Sequence, residues 1–492
     1  MSPMDKLQGE VRMLVDGELV NAASGKTFDN VNPATEDVLG PVADGSAEDM
    51  ARAIAAARRA FDETDWATNR GLRKRCLEQL QDALESEREE LRSELVAEVG
   101  CPVLVTYGPQ LDAPLEDGLR WPAKMIDEFA WERDLGEREA FGIPSRRRVW
   151  KEPVGVVGSI VPWNFPVEIT INKLGQTLAT GNTTIIKPAP DTPWNATRLG
   201  RLIAERTDIP AGVVNVVTSS DHLVGETLVT DARVDVISFT GSTVTGQRIM
   251  EKGAPTLKRV FLELGGKSVN LLLDDVDFAT QLGAAAFTCM HAGQGCAIAT
   301  RLLVPRARHD EAAEIVKAAF ESVAYGDPTD AQNIMGPLVS AKQRERVLGY
   351  IEAGRREGAQ LLTGGGRPAR LPRGFFVEPT VFAHVDNSMT IAQEEIFGPV
   401  LVVIPYEDDD DAVRIANESR YGLSGMVTSG SEERALSVAR RIRTGTLAVN
   451  GGVWYGADSP FGGYKMSGIG RQNGLEGFEQ YLETKTIALP AR

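Results

Sequence analysis

The chain has few of the residues on which disulfide frameworks and metal sites depend. Its 492 residues include only four cysteines and four histidines. The cysteines form no C-x-x-C pair, so the sequence predicts reduced thiols rather than a disulfide framework or a redox motif. The histidines lack the spacing of zinc ligands, so we expect no metal site. The residues concerned are Cys76, Cys101, Cys289, Cys296, His222, His291, His309 and His384.

Positive charge and long apolar runs are also scarce. The chain carries 53 Lys and Arg against 69 Asp and Glu, a net charge of −16, which disfavours binding to nucleic-acid phosphates. No stretch approaches the ~20 apolar residues of a membrane span. Residues 1–10 lack the apolar core of a signal peptide. We therefore expect no nucleic-acid partner, no membrane partner and a cytoplasmic location.

The length exceeds what one hydrophobic core usually supports, because cores stop growing at roughly 250–300 residues. With 42% apolar and 25% charged residues, the composition is typical of a globular α/β protein. Helical spacing without internal proline predicts two outer helices, at 46–62 and 71–98. The sequence thus indicates at least two domains with helices packed around sheets.

From residue 154 onward, short β-branched runs alternate with helix-like segments, which predicts βαβ units and a parallel sheet. These runs lie at 154–161, 183–187, 213–217 and 234–239. A second α/β pattern begins near Glu263, with helices expected at 310–323 and 341–357 and strands at 400–405 and 446–449. Alternating residues near 140–150 and 478–489 predict strands that pair with another subunit.

Two reactive side chains occur in glycine-rich segments that are typical of a covalent enzyme site. Cys296 ends G-Q-G-C at 293–296, and Glu263 precedes L-G-G-K at 264–267. A thiol nucleophile with a separate carboxylate base suggests a thioester that forms first and is attacked by water second. Cys289 lacks such neighbours and is interpreted as structural.

Three polar segments follow predicted strands, where ligands of open α/β sheets bind. Gly241 and Ser242 stand at a strand-to-helix turn that can hold a pyrophosphate, although glycine turns before helices are common. Asn164, in P-W-N-F-P at 162–166, can donate to an oxyanion or serve as a turn residue. Lys187 can reach a ribose hydroxyl or remain a solvated lysine.

Taken together, these segments resemble the NAD(P)-dependent aldehyde dehydrogenase superfamily over nearly the whole chain. The spacing between Glu263 and Cys296 is also close to that family's spacing. Seven motifs occur in the family's order: P-W-N-F-P at 162–166, K-P-A at 187–189, F-T-G-S-T at 239–243, L-E-L-G-G-K at 262–267, G-Q-G-C at 293–296, E-E-I-F-G-P at 394–399 and P-F-G-G-Y-K-M-S-G at 460–468.

The resemblance implies an α/β fold made of a Rossmann-like nucleotide-binding domain, an α/β catalytic domain and a small β oligomerisation arm. The nucleotide-binding domain would comprise 1–128 and 150–262, with 459–476 returning to it. The catalytic domain would be 263–458, and the arm 129–149 and 477–492. Because the strands near 140–150 and 478–489 would otherwise expose unpaired edges, we expect a homodimer or homotetramer.

The resemblance assigns roles by position. Cys296 would be the nucleophile, Glu263 the base for the deacylating water, and Asn164, with the Cys296 amide, the oxyanion hole. Lys173 would support the proton path. The cofactor would be NAD, with NADP not excluded, and Glu395 would bind its nicotinamide ribose. The expected cofactor-binding residues are Ile160, Pro162, Trp163, Lys187, Ala189, Pro190, Gly225, Phe239, Gly241, Ser242, Leu264, Glu395 and Phe397.

The sequence departs from the family pattern at two positions. Pro190 replaces an acid that in many relatives binds the adenosine ribose and repels a 2′-phosphate, which weakens the usual argument for NAD over NADP. Gln472 stands where many members have a glutamate, so a proton-relay role for that acid is absent.

The expected substrate is a small-molecule aldehyde, and its identity stays open. Gly295 and Ala297 are small, and Asn172 replaces a frequent aromatic, which would widen the substrate tunnel. Trp454 and Tyr455 fit either the tunnel mouth or the core. At the mouth, they would favour a bulky apolar aldehyde over acetaldehyde. No pair of cations suggests a dicarboxylate semialdehyde.

Three alternative functions follow from the same residues. A thiol hydrolase or esterase would pair the cysteine with a histidine base. A coenzyme A-acylating dehydrogenase would release an acyl thioester, although Glu263 favours water as the acceptor. A catalytically inactive binding protein would be expected to have lost Cys296 or Glu263, and both are present.

Overall fold

The structure is a computed structural model that describes residues 7–491. Residues 1–6, which fall in the stretch inspected for a signal peptide and in the predicted nucleotide-binding domain, lie outside the described residues, as does residue 492 of the predicted arm. Within 7–491, none of the helices is long and apolar enough to cross a membrane.

An eight-stranded sheet forms the first half of the fold. Its central five strands are parallel, and the β-branched runs predicted from residue 154 onward supply four of them. In spatial order the strands are Gly468–Ile469, Arg259–Glu263, Val236–Thr240, Val156–Ile160, Thr183–Lys187, Val214–Val216, Met13–Val15 and Glu18–Val20. The predicted parallel sheet is therefore confirmed.

A seven-stranded sheet forms the second half. Its strands are parallel except for the antiparallel edge strand Gln360–Thr363. A buried cluster of Leu, Val, Ile and Phe side chains surrounds this sheet. In spatial order the strands are Gln360–Thr363, Thr380–Ala383, Val400–Tyr406, Ala299–Pro305, Ser268–Leu272, Gly425–Thr428 and Ala448–Val449.

Two smaller sheets complete the strands of the described chain. Leu482–Pro490, Ile143–Pro153 and Glu132–Ala140 form an antiparallel three-stranded sheet, with the first and last as edges. Phe141 is fully exposed at its hairpin turn. Thr27–Val31 pairs with Val38–Ala43. The three-stranded sheet thus combines chain segments separated by more than three hundred residues.

Helices cover both large sheets. The predicted helices at 46–62, 310–323 and 341–357 are observed as Ala47–Glu63, His309–Glu321 and Ala341–Arg356. The remaining α-helices are Arg70–Ser86, Arg88–Glu94, Val103–Thr106, Asp112–Asp117, Arg120–Glu128, Pro166–Ala179, Trp194–Arg206, His222–Thr230, Thr243–Gly253, Phe278–Gln281, Thr390–Gln393, Asp409–Asn417, Glu432–Ala439 and Gly474–Glu479.

The prediction of one continuous helix over 71–98 is wrong. The α-helix ends at Ser86, and Glu87 leaves helical geometry, with φ −115° and ψ 27°. The Glu87 carboxylate forms ion pairs with Arg198 and Arg201 on a neighbouring helix. Because this break is associated with a tertiary contact and not with proline or glycine, helical spacing alone gives no sign of it.

Candidate active site

Two cavities meet at Cys296. One has a volume of about 280 Å³ and the other about 450 Å³. Four residues line both of them, namely Asn164, Thr240, Glu263 and Cys296. Thr240 and Glu263 end adjacent parallel strands of the first sheet, whereas Cys296 lies just before the strand Ala299–Pro305 of the second sheet. The fold therefore brings together three of the four predicted catalytic residues.

Cys296 is the one cysteine of the four that keeps exposed surface. Burial raises the pKa of its thiol, and the carboxylate of Glu263 raises that pKa further. The backbone that leads to Cys296 includes His291, Ala292 and Gly293, which have φ of 51°, 55° and 70°. Left-handed backbone at non-glycine residues is unfavourable, so surrounding contacts must hold this loop in place.

Hydrogen bonds tie the cysteine loop to the turn that carries Asn164. The Asn164 carbonyl accepts from Gln110 Nε2 at 2.7 Å and from His291 Nε2 at 3.0 Å. Asn164 Nδ2 donates to the Gln294 carbonyl at 2.9 Å, which leaves its second N–H available. Gln294 Oε1 in turn accepts from the Val339 amide at 2.9 Å. We call the bonds among Gln110, Asn164, His291 and Gln294 the Asn164 clamp.

All four clamp side chains are buried. Sequence reasoning identified Asn164 but missed the positioning roles of the other three. Gln294 lies within G-Q-G-C, so this motif could have indicated its role. Gln110 lies far from any motif, and only the fold places it against the turn.

Glu263 has a buried carboxylate without a partner. Among the residues that the structure describes, no donor reaches either of its oxygens. Burial raises its pKa well above the usual range, and the charge of Lys173 opposes that rise. A carboxyl group of this kind can act as a base near neutral pH.

Lys173 lies in the helix Pro166–Ala179, behind the cavities. Its Nζ donates to Ser238 Oγ at 3.0 Å and lies 4.7 Å from the centre of the Phe261 ring. Burial lowers the pKa of Lys173 to about 7, with Glu263 and Glu168 opposing the decrease. The lysine can therefore exchange a proton near neutral pH.

About half of the predicted cofactor-binding residues line the larger cavity. Ser242 caps the helix Thr243–Gly253. The Gly241 amide donates to the Glu263 carbonyl at 2.9 Å and the Thr245 amide donates to Ser242 Oγ at 3.2 Å, so the Thr243 and Val244 amides of the first turn remain for a pyrophosphate. The predicted residues that line this cavity are Pro162, Trp163, Gly241, Ser242, Leu264, Glu395 and Phe397.

Glu395 and Phe397 line this cavity as two of the predicted cofactor residues. Glu395 Oε1 accepts from the Gly266 amide at 2.9 Å, and burial raises the pKa of Glu395 to about 7. The Phe397 ring packs edge-on against Trp163, with centroids 5.4 Å apart. Glu395 Oε2 makes no hydrogen bond within residues 7–491, so it can accept one from a ligand hydroxyl.

The other predicted cofactor residues do not line this cavity. Ile160 and Lys187 are paired at the ends of adjacent strands. Lys187 Nζ donates to the Pro188 and Ser219 carbonyls, at 3.1 and 3.2 Å. The six residues of this group are Ile160, Lys187, Ala189, Pro190, Gly225 and Phe239.

Two opposite charges that line the same cavity bear on cofactor choice. Asp191 follows Pro190, and burial raises its pKa while Lys342 lowers it. Lys342 also lines the cavity, although it is distant from Pro190 in sequence. Beyond Lys187, no lysine or arginine stands beside Pro190 in the sequence, and the fold brings Lys342 to the same cavity.

The smaller cavity has a largely apolar wall. Trp454 is stacked on Phe461, with centroids 5.3 Å apart, and both line the cavity with Tyr455. Trp454 and Tyr455 are therefore cavity residues rather than core residues. Gln472 Nε2 donates to the Asn172 carbonyl at 2.9 Å. Glu168, which sequence reasoning missed, also lines this cavity.

The histidines do not supply the base of a thiol hydrolase. No histidine of residues 7–491 lines either cavity. Burial lowers the pKa of His291 to about 4, so its ring is neutral and its Nε2–H is committed to the Asn164 carbonyl. The cavities instead combine a thiol, an amide donor and a carboxylate base. Such a set can form a thioester and hydrolyse it.

His309, Asp310 and His384 approach one another, which their sequence spacing did not predict. His309 Nε2 accepts from the His384 amide at 3.3 Å, so Nδ1 carries the proton of the neutral ring and faces Asp310 Oδ1 at 3.1 Å. A metal bound to Nδ1 would displace that proton to Nε2. The Nε2–H would then face the N–H of the His384 backbone, and two donors would oppose each other. We interpret the cluster as a structural contact.

Known proteins are similar to this chain in sequence and in fold. The family model described as "Aldehyde dehydrogenase family" matches residues 19–487. The chain is 41% identical over 477 residues to a 3-succinoylsemialdehyde-pyridine dehydrogenase from a Pseudomonas species, covering 96% of this chain and 97% of that protein.

Two solved structures are similar over their full length. Aldehyde dehydrogenase C from Pseudomonas syringae, a mutant solved with NAD⁺ and octanal, is 37% identical, with a TM-score of 0.91 over 97% of this chain and 96% of that one. A Mycobacterium tuberculosis aldehyde dehydrogenase solved with NAD⁺ is 39% identical, with a TM-score of 0.92 over 98% of each chain. The predicted resemblance and fold class are confirmed, and the chain belongs to the aldehyde dehydrogenase family.

Proposed function

We propose that this enzyme oxidises an aldehyde with a largely apolar body to the carboxylic acid, with NAD as hydride acceptor and a thioester on Cys296 as intermediate. The observation that carries the proposal is the meeting of two cavities at Cys296, with Asn164 and Glu263 lining both. The smaller cavity would hold the aldehyde and the larger one the cofactor. Octanal in the Pseudomonas syringae structure supports an apolar substrate.

In the first half-reaction, the Cys296 sulfur attacks the aldehyde carbon and creates a tetrahedral alkoxide. The second N–H of Asn164 Nδ2 and the Cys296 amide stabilise that charge. Because burial raises the pKa of the thiol, its proton must leave as the sulfur attacks. Water in the cavity would receive this proton, so that Glu263, which has no hydrogen-bond partner, stays available as the base of the second half-reaction.

The residues around the larger cavity fit a dinucleotide. The Thr243 and Val244 amides at the start of the helix Thr243–Gly253 would hold the pyrophosphate, and Glu395 Oε2 would accept from a ribose hydroxyl. The remaining predicted cofactor residues, which do not line the cavity, would shape the adenosine end. When bound, NAD supplies the acceptor for the hydride that leaves the alkoxide carbon.

In the second half-reaction, Glu263 takes a proton from the water that attacks the thioester. Lys173, with a pKa of about 7, would help this proton leave the site. Gln472 cannot take part as an acid, since its amide donates to the Asn172 carbonyl. A buried base beside the thioester favours water over coenzyme A as the acyl acceptor.

We also propose the domain division expected from the family and the homo-oligomer expected from the unpaired strand edges. The sheet to which each segment belongs supports a nucleotide-binding domain of 1–128 and 150–262, with 459–476, and a catalytic domain of 263–458. The arm strand Ile143–Pro153 extends past the boundary placed at 149. Edge strands and the exposed Phe141 support pairing of the arm with another subunit.

Replacement of Cys296 by alanine is expected to abolish NADH formation while NAD affinity stays within a few-fold of the parent. The thiol makes the covalent bond but contributes little to cofactor binding. Steady-state assays and calorimetric titration of NAD measure the two effects. Cys289→Ala, a buried cysteine outside both cavities, serves as the matched control and should retain turnover. Turnover of Cys296→Ala close to that of the parent would rule out the nucleophile.

Glu263→Gln is expected to give a burst of NADH followed by a slow steady rate, because the amide cannot take a proton from water. Mass spectrometry should detect the acyl-enzyme. The parent rate should rise with pH as Glu263 loses its proton, and the variant should lose that limb of the profile. Glu476→Gln removes an exposed carboxylate and is the control. Absence of both burst and acyl-enzyme would contradict the assignment.

We expect NAD to be preferred over NADP, since the Asp191 carboxylate disfavours a 2′-phosphate despite the nearby Lys342. Asp191→Asn should raise kcat/KM for NADP and leave the value for NAD within about twofold. The comparison uses both cofactors with one good aldehyde. A parent preference for NADP of tenfold, about 1.4 kcal/mol, would show that Lys342 dominates the site.

Light scattering at micromolar concentration is expected to give a dimer or tetramer of the 53.2 kDa chain. The exposed Leu135, Phe141 and Ile143 of the arm would be covered in the oligomer. Replacement of Leu135 and Phe141 by aspartate should shift the population toward smaller species. A parent that stays monomeric and does not aggregate would contradict the proposal.

A further inference from the structure

The substrate cavity contains a carboxylate that the proposed reaction does not use. Glu168 lines the cavity together with the apolar side chains of Phe165, Ile169, Met290 and Trp454. Burial raises its pKa to about 7. Placing an unsatisfied carboxylate against apolar groups is costly, so an acid retained here calls for a hydrogen-bonding partner.

The protein satisfies only one of the two Glu168 oxygens. Oε1 accepts from Asn172 Nδ2 at 2.7 Å and from the Tyr455 hydroxyl at 3.5 Å. In the part of the chain that the structure describes, Oε2 accepts no hydrogen bond, although a carboxylate has about four acceptor positions. Oε2 is not fully buried and keeps solvent-accessible surface.

The helix that carries Glu168 holds this carboxylate in place. Glu168 lies in the first turn of the helix Pro166–Ala179, where the helix dipole favours negative charge. Asn172, one turn later, anchors Oε1. Within residues 7–491, no lysine or arginine lines the cavity, and the charge of Lys173 behind it only partly opposes the rise in the pKa of Glu168.

We propose that Glu168 determines substrate specificity: its Oε2 accepts a hydrogen bond from an O–H or N–H group of the aldehyde. The preferred substrates would have an apolar body that carries one such donor, either an alcohol or an ammonium group. This inference rests on the proposed oxidation of aldehydes at Cys296. Glu168 would recognise the end of the substrate away from the reacting carbonyl and take no part in the chemistry.

Two pairs of aldehydes of matched shape test the proposal on the intact enzyme with NAD. 4-(Hydroxymethyl)benzaldehyde is compared with 4-ethylbenzaldehyde, and 4-(dimethylaminomethyl)benzaldehyde, protonated at neutral pH, with 4-isobutylbenzaldehyde. The readout is the ratio of kcat/KM between the two aldehydes of each pair. A change in stability or in general activity affects both values equally and cancels in this ratio. Sites that hydrogen-bond a substrate group strongly reject analogues that lack it, so we expect a ratio of about tenfold or more in at least one pair.

The pair that shows the preference identifies the donor as an alcohol or an ammonium group. Ratios within about twofold of unity in both pairs would overturn the assignment of Glu168. If all four aldehydes are oxidised with equal kcat/KM, only this assignment fails. If none yields NADH, the proposed function fails and the assignment with it.

Variants connect the preference to this side chain. In Glu168→Gln, the atom replacing Oε2 is either a donor or a neutral amide oxygen, and the ratio should fall at least fivefold. In Glu168→Leu, the apolar member of each pair should become the better substrate. Glu476→Gln, which removes an exposed carboxylate from the helix Gly474–Glu479, should keep the parent ratios. Parent ratios retained in both Glu168 variants would overturn the proposal, and the parent ratios test it even if a variant fails to fold.

Discussion

The Asn164 clamp is the constraint on which the rest of the site depends. The turn after the strand Val156–Ile160 belongs to the first sheet, and the loop before Ala299–Pro305 leads into the second. Hydrogen bonds from His291 and Asn164 join the two segments, and Gln110 supports the Asn164 turn from a third segment. Because the cysteine loop contains consecutive left-handed residues, it needs these contacts to keep its shape. Without the clamp, the thiol and the amide donor would belong to separate parts of the molecule.

Burial at this junction gives the titratable groups their reactivity. The pKa of Lys173 is lowered to about 7, and that of Glu263 is raised well above its usual range. Both shifts arise mainly from desolvation, which disfavours a charged lysine and a charged glutamate alike. Lys173 can therefore exchange a proton near neutral pH, and Glu263 binds a proton more strongly than an exposed carboxylate does. The same packing that joins the two sheets thus adjusts the chemistry of the site.

Sequence motifs predicted the parts of the site that are contiguous in the chain. Cys296, Glu263 and Asn164 each stand in a short motif, and the structure places all three on the same pair of cavities. Residues that act through tertiary contacts gave no such signal: Gln110 lies far from every motif, and the helix break at Glu87 accompanies ion pairs with another helix. Inspection of the sequence around Pro190 could not reveal Lys342 for the same reason.

The two cavities differ in how their walls are built, and this difference separates catalysis from substrate choice. The carboxyl ends of parallel strands and the clamp form the wall shared at Cys296, so changes there disturb several hydrogen bonds at once. The outer wall of the smaller cavity comes from one face of the helix Pro166–Ala179 and from a loop that carries Trp454 and Tyr455. Side chains on that helix face, such as Glu168 and Asn172, make no bond to the clamp. Substitutions on this face can therefore change which aldehyde is accepted while the nucleophile, the amide donor and the base stay in position.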